Sequence, residues 1–362
     1  MYLAEVIFLN TERIRNLLLG WYSDHFRALP WRIDVTPYHV WISEIMLQQT
    51  RIEAALPYYK RFVAQLPDVA ALATVPDDVL LKLWEGLGYY SRARNLKKAA
   101  QVIMETYHGE LPADYERLLL LPGIGAYTAG AIASIAFSIP VPAVDGNVMR
   151  VLARLSGDDT DVLSTAGKKR FSDLAWELVP ELHPGRFNQA LMELGETVCV
   201  PGTPKCDVCP LRSECEAFRT QRTLELPVRI KKTKRRVEQR SVLFVRVWGD
   251  SEPAVLLHKR GETGLLAGLW EFPNTDEDEL QSALDVSLRS HCQLVGELPE
   301  SRHLFSHIEW RMKGYLLDMA SVQTLPEHYA LATVDELRTT YPLPSAFRAY
   351  TCLVEELLHK EN

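Results

Sequence analysis

Two carboxylates and four thiols are the side chains whose type and setting could carry chemistry. Glu44 lies inside PYHVWISEIMLQQT (37–50), a mostly apolar helical pattern, among Trp41, Ile42, Ile45 and Met46. An acid there either points out to solvent or is buried for a purpose. Burial raises a carboxyl pKa and keeps the group protonated near neutral pH, which makes it a general acid. Asp145 opens another helix in Val144-Asp145-Gly146-Asn147. As an N-cap it sits beside backbone donors, which hold a carboxylate ionised, and Asn147 is placed to orient it. Cys199, Cys206, Cys209 and Cys215 form C-x6-C-x2-C-x5-C within one short loop. In a cytosolic-looking chain this density points to metal rather than disulfides. Structural zinc usually draws on two separated C-x2-C pairs, and generic iron–sulfur spacings differ too, so spacing alone leaves the metal open.

These groups need a frame. Leu121-Pro122-Gly123-Ile124-Gly125 separates two apolar helix-forming segments. Its glycines permit a sharp turn, and the helix from Ala126 points its first N–H groups out of that turn, where they and the helix dipole attract an anion such as phosphate. An isolated G-x-G would equally suit an ordinary helix corner. Upstream, residues 11–26 read as an amphipathic helix with Ile14, Leu17, Leu18, Trp21 and Tyr22 on one side and Thr11 as its cap. Thr36-Pro37 starts the helix that carries Glu44. Residues 57–107 are helical with short connections, broken by the exposed-looking turn Gly86-Leu87-Gly88-Tyr89-Tyr90. Helices resume over 160–194, where Gly167–Arg170 is a further candidate backbone contact.

A length of 362 residues implies two to three domains, and 47% apolar with 24% charged residues describes a soluble globular chain. No apolar run approaches a membrane span, and the apolar start carries Glu5 without a basic region, so the expected compartment is the cytoplasm. The net charge of −7 is unevenly spread: residues 1–240 carry +2 and residues 241–362 carry −9. Local clusters such as Ser91–Lys98 matter more to nucleic-acid binding than the total. Residues 221–240 read as a basic linker. Beyond them SVLFVRVW, AVLLHKR and RMKGYLLDMA read as strands, followed by helical patterns ending in FRAYTCLVEELLHK, an α+β module. Cys292 and Cys352 are expected to pack as small apolar residues.

LPGIGAYTAGAI followed by VDGNVMRVLAR resembles the helix-hairpin-helix DNA glycosylases of the endonuclease III superfamily, and WISEIMLQQT resembles the segment of adenine DNA glycosylases, the MutY family, that carries their catalytic glutamate. The resemblance extends over nearly the whole chain. It implies an all-α helix-hairpin-helix glycosylase over 1–220, with a six-helix module at about 30–140 and a 4Fe–4S module built from 1–29 and 141–220. The four cysteines, which follow LGETVC as in that family, are implied ligands of a 4Fe–4S cluster. The hairpin, through Gly123 and Gly125, is implied to hold DNA phosphate, often with a bound monovalent cation. Residues 241–362 are implied to form a Nudix-like lesion-recognition domain. GLLAGLWEFPN (264–274) resembles the start of a Nudix fold, but TDEDELQSALDVSL lacks the glutamate run a diphosphate hydrolase needs, so that activity is rejected.

Removal of a base is glycoside hydrolysis, which uses two carboxyl groups in opposite states. Glu44 would protonate the leaving adenine and Asp145 would stabilise the cationic sugar. Bifunctional relatives carry lysine where this hairpin has Tyr127, and lysine forms a Schiff base that tyrosine cannot. The resemblance therefore implies base hydrolysis without strong lyase activity, with Tyr127 and Asn147 beside the two acids. It places Trp31, Arg32, Gln48, Gln49 and Thr50 near the extruded adenosine. Leu87, Gly88 and Tyr89 form the turn that wedges into the duplex, and Phe305-Ser306-His307 reads the oxidised guanine. Gln189 stands where some relatives have glutamate. The expected partner is double-stranded DNA with adenine opposite 8-oxoguanine or guanine, bound by a monomer at the nucleoid and not at a membrane. A different glycosylase or abasic-site lyase, and a non-catalytic iron–sulfur DNA-binding or redox module, are the rival readings.

Overall fold

The computed structural model describes residues 10–230, 235–248, 252–276, 279–320 and 324–358. The apolar start (1–9) and the centre of the expected linker (231–234) lie outside them. The chain divides into two units. One comprises Met1–Thr74 and Asn95–Lys231, the other Val75–Arg94 and Lys232–Asn362.

The first unit is helical among its described residues. Helix Thr11–His25 buries Ile14, Leu18 and Tyr22, spaced by four, on one stripe. Its cap is Asn10, whose side chain accepts from Arg13 N at 3.1 Å, one residue before the expected Thr11. That stripe packs into a core with helices Gly146–Ser156, Thr165–Leu178 and Pro184–Thr197, and Cys199, Cys209 and Cys215 lie against the same core. Arg15 closes the end of Thr165–Leu178 by donating to the Leu178 and Val179 carbonyls at 2.8 and 3.0 Å, which satisfies acceptors that a helix terminus leaves open. Helix Pro37–Leu47 starts at a Thr36 cap and packs on helix Ala126–Phe137. Of the stretch expected to be a linker, the part before residue 231 folds back onto this unit. Leu226 is buried and its carbonyl accepts from Arg154 Nε at 2.9 Å, while Val162 N donates to the Val228 carbonyl at 3.1 Å.

The second unit is a mixed sheet. Strands β1 (Arg236–Val247), β2 (Ala254–Lys259), β3 (Trp270–Glu271), β4 (Asn274–Thr275), β5 (Cys292–Leu304), β6 (Ile308–Met319) and β7 (Tyr329–Ala332) run in the order β3-β2-β1-β6-β5, with β4 beside β1 and β7 beside β2. β1 and β6 are parallel over twelve paired residues, and the other pairs are antiparallel. Alternation sends Val242, Phe244, Trp310 and Met312 to one face, under the C-terminal helical segments, and Leu243, Val245, Leu317 and Met319 to the other. Cys292 packs against that second face, but Cys352 is exposed rather than packed, because it sits on the outward side of its short helical turn. Segment 75–94 belongs to this unit: Lys82 Nζ donates to the Leu337 and Tyr341 carbonyls at 2.7 and 3.1 Å, and Asp78 pairs with Lys259 at 2.9 Å.

Gly130 marks the tightest contact near the expected site. A Cβ there would lie 2.0 Å from the Pro142 carbonyl oxygen, so helix Ala126–Phe137 can touch the segment leading to Asp145 only through a residue with no side chain. Gly130→Ala is expected to destabilise the protein by about 1–3 kcal/mol through forced backbone displacement. Thermal unfolding of the variant checks this, and an unchanged melting temperature would show that the contact is not tight.

Candidate active site

Glu44 is buried, at 6% exposure, in a helix of which eight of eleven residues are buried. The outward-pointing alternative is therefore excluded. Burial pushes its carboxyl up to about 7. The Tyr127 hydrogen bond and the Arg32 charge oppose the rise, and the nearby Asp145 and Glu196 add to it. Tyr127, in the first turn of helix Ala126–Phe137, donates its phenol proton to Glu44 Oε2 and lies 3.4 Å from Met192 Sδ. Burial, the Glu44 and Asp145 charges and this hydrogen bond hold the phenol well above its ordinary pKa, so it remains a donor.

Asp145 caps helix Gly146–Ser156 as the sequence indicates. Oδ1 accepts from Val148 N at 2.7 Å and Oδ2 from Asn147 Nδ2 at 2.8 Å. Burial raises its pKa on balance, against the lowering by Val148, Asn147 and the Arg150 charge. The two acids still differ in kind, since Glu44 receives one phenol and Asp145 receives backbone and amide donors with a guanidinium behind them.

One cleft of about 960 Å³ is lined by Glu44, Asp145, Tyr127 and Asn147 together with Trp31, Arg32, Gln48, Gln49, Thr50 and Gln189. That volume accommodates a nucleoside. No lysine lines it among the described residues. Trp31 is held edge-on against Tyr59 with ring centroids 4.8 Å apart, Gln48 Nε2 donates to Thr128 Oγ1 at 3.3 Å, and Gln189 Oε1 accepts from the Tyr22 hydroxyl at 3.3 Å.

Sequence reasoning passed over several charged residues here. Arg150, 4% exposed, donates from Nη2 to Asn147 Oδ1 and the Gly195 carbonyl, both at 2.8 Å, and from Nε to the Cys199 carbonyl at 2.8 Å. Arg154, one turn on, donates from Nη1 to Cys199 Sγ at 3.4 Å and to the Val200 carbonyl at 2.9 Å. Glu193, 1% exposed, is gripped by Arg27 and Arg32. An i, i+4 pair of arginines in VMRVLAR was the available signal for the first two. For Glu193 no signal existed, because its partners lie far upstream.

The four cysteines line one cavity with Arg154, Lys205, Arg212 and Phe218. Among the described residues no three His, Cys, Asp or Glu side chains converge as they would on a single ion. Four thiols lining a shared cavity, with a guanidinium on one sulfur, are a donor set that fits an anionic thiolate-bound group.

The remaining expected contacts sit on other parts of the fold. Gly123 takes φ +76° in the hairpin, where a Cβ would strike Asn95, and Gly125 caps helix Ala126–Phe137 without any side-chain acceptor for its first N–H groups. In the second unit Tyr89 is exposed at φ +47°, with Arg92 over its ring at 5.6 Å, and Gly88 takes φ +68°. Leu87 is buried instead of presented, in a turn where its backbone N–H donates to the Trp84 carbonyl at 3.1 Å. The basic run at 91–98 is partly internal: Arg92 donates to the Leu87 and Gly88 carbonyls at 3.0 and 3.1 Å, and Arg94 donates to the Ala267 carbonyl. Phe305, Ser306 and His307 make the tight turn between β5 and β6. Phe305 packs edge-on against Trp310, while Ser306 and His307 are exposed and 3.1 Å apart.

Comparison with known proteins bears on this arrangement. The profile described as HhH-GPD superfamily base excision DNA repair protein matches residues 42–181, and a NUDIX domain profile matches 243–351. The chain is 36% identical to an adenine DNA glycosylase of Mus musculus, over 93% of this chain and 77% of that protein. Among solved structures, a thermostable thymine-DNA glycosylase aligns with TM-score 0.54 and 28% identity, over 58% of this chain and 97% of that one. A trapped endonuclease III–DNA covalent intermediate aligns with TM-score 0.50 and 26% identity, over 59% and 99%. No described helix is long and apolar enough to cross a membrane. With an acid and a carboxylate facing one nucleoside-sized cleft beside a helix-hairpin-helix, and a Nudix-like sheet downstream, the chain belongs to the adenine DNA glycosylase family of base excision repair enzymes.

Proposed function

We propose that this enzyme hydrolyses the N-glycosidic bond of adenine opposite 8-oxoguanine or guanine in duplex DNA, as a monomer and without strand cleavage. The observation that carries the reading is that Glu44 and Asp145 line one cleft, and that no lysine lines it among the described residues. Glu44 is the general acid. Its Oε2 is engaged by Tyr127, which leaves the other oxygen to carry a proton to the departing adenine. Asp145, held by Val148 and Asn147, is the anion that stabilises the oxocarbenium-like sugar or traps it briefly. Glu44, deprotonated by the first step, then serves as base toward water. Trp31, Arg32, Gln48, Gln49 and Thr50 bind the extruded nucleoside, whose swinging-out costs a few kcal/mol. Gly123, Gly125 and a monovalent cation at the hairpin hold DNA phosphate. Gly88 and Tyr89 fill the gap in the stack, and Phe305, Ser306 and His307 read the opposite base. Cys199, Cys206, Cys209 and Cys215 would hold a 4Fe–4S cluster, and the chemistry it supplies is the rigid cross-linking of four thiolates in one loop. Lys205 and Arg212 on that loop lie within reach of phosphate.

Four outcomes are expected. Glu44→Gln lowers single-turnover adenine release by about 10²–10⁴-fold with duplex binding retained. The wild-type rate falls as pH rises through about 7, where Glu44 loses its proton. A variant still at the wild-type rate would remove Glu44 from the mechanism. Borohydride treatment during turnover traps no covalent enzyme–DNA adduct, since no lysine lines the cleft among the described residues; robust trapping with strand scission would favour the lyase reading. Ser306→Ala with His307→Ala reduces the preference for 8-oxoguanine over guanine by roughly fivefold to tenfold, the worth of about one hydrogen bond. Paired single-turnover assays on the two duplexes check this, and an unchanged ratio would move lesion reading elsewhere.

A further inference from the structure

Two arginines stand on the wall of the cleft, and neither is free to approach Glu44. Arg27 Nε meets Glu193 Oε1 at 2.5 Å and its Nη2 meets Oε2 at 3.0 Å, and the same Nη2 reaches Glu196. Arg32 Nη2 meets Glu193 Oε2 at 2.8 Å, its Nη1 donates to the Arg27 carbonyl at 3.4 Å, and its guanidinium lies 5.9 Å from the centre of the Tyr22 ring. Both oxygens of Glu193 are thus occupied by guanidinium groups, and the side chain is almost fully buried. A carboxylate with 1% exposure is costly unless it is matched, so this one is retained for what it does to its partners. Two cations and two anions cancel locally.

We propose that Glu193 is a positioning residue of the reaction: its buried carboxylate fixes Arg27 and Arg32 against the helix Pro184–Thr197 and cancels their charge, so that Glu44 faces no uncompensated cation. The inference rests on the reading of Glu44 as the acid. The charged and titratable groups that face Glu44 are Tyr127 from helix Ala126–Phe137, Asp145 from the cap of helix Gly146–Ser156, Arg32 from the turn at Pro30–Ile33 and Glu196 from helix Pro184–Thr197; Arg27, Arg51, Glu53 and Arg150 also line the cleft. Among the four, Arg32 is the cation, and it favours the ionised form of Glu44. Without the Glu193 charge, the arginine pair would carry an excess positive charge beside an acid that must stay protonated. Arg32 would also lose the contact that holds it away. Both effects act in one direction, pulling the proton off Glu44 at lower pH.

The test is single-turnover adenine release across the neutral pH range with full-length holoenzyme. Glu193→Gln is expected to move the descending limb of the profile down by about one pH unit, a roughly tenfold loss of rate above it. Glu193→Asp keeps the charge and is expected to leave the limb in place. Loss of packing alone lowers the plateau without moving a titration, so a Glu193→Gln limb at the wild-type position overturns the proposal whatever the plateau does. If Glu193→Gln fails to fold, Arg32→Met runs the test in reverse: the limb is expected to move up, and an unmoved limb overturns the proposal equally. A Glu44→Gln variant at the wild-type rate would overturn the acid assignment and this inference together, whereas an inactive Glu44→Gln with an unmoved Glu193→Gln limb overturns this inference alone.

Discussion

A carboxyl group sealed into an apolar helix is the constraint on which the site depends. Burial leaves Glu44 little contact with water beyond the cleft it lines, so its charge state follows largely from the few polar atoms that reach it. The surroundings are arranged accordingly. Tyr127 offers one hydrogen bond, which relieves the buried oxygen without supplying a charge. Arg32 is tied off on Glu193, and Asp145 is turned toward its own helix. The two acids thus sit in unlike surroundings, one phenol donor at Glu44 and backbone and amide donors at Asp145, whereas in bulk water two carboxyls titrate almost alike.

The helix Gly146–Ser156 links that acid pair to the cysteine loop. Its cap supplies Asp145, its first turn Asn147, and its next turns Arg150 and Arg154, whose guanidinium groups end on the carbonyls of Gly195, Cys199 and Val200. The arginines are buried and bonded mainly to neutral acceptors, so their positive charge is only partly spent inside the protein. That charge lies under Asp145 on one side and beside Cys199 Sγ on the other. The loop of four cysteines and the cap carboxylate thus lie at opposite ends of one pair of cations.

Much of this was legible in the residues. Asp-Gly-Asn at the start of an amphipathic pattern reads as a capped helix, and it is one. Trp41, Ile42, Ile45 and Met46 around an acid left Glu44 either outward or buried, and the fold buries it. SVLFVRVW and AVLLHKR read correctly as strands because short runs that bury both faces of a sheet are apolar almost throughout. What was hidden depended on distant partners. Glu193 looks like one more acid on an amphipathic helix until Arg27 and Arg32 are brought to it from 160 residues away. Arg92 and Arg94 read as part of a candidate local basic patch, yet they bind carbonyls inside the fold. The net effect on Asp145 turned on burial against donors, a balance that composition does not reveal.

The turn between β5 and β6 is short and anchored. Phe305 N donates to the Ile308 carbonyl at 2.8 Å, and the Phe305 ring is wedged beside Trp310. Only Ser306 and His307 protrude, and they are already bonded to each other. Such a tip behaves as a stiff probe with little conformational freedom left to lose on contact. A surface that meets it must conform to its shape, and one displaced by even an ångström would gain little from the encounter.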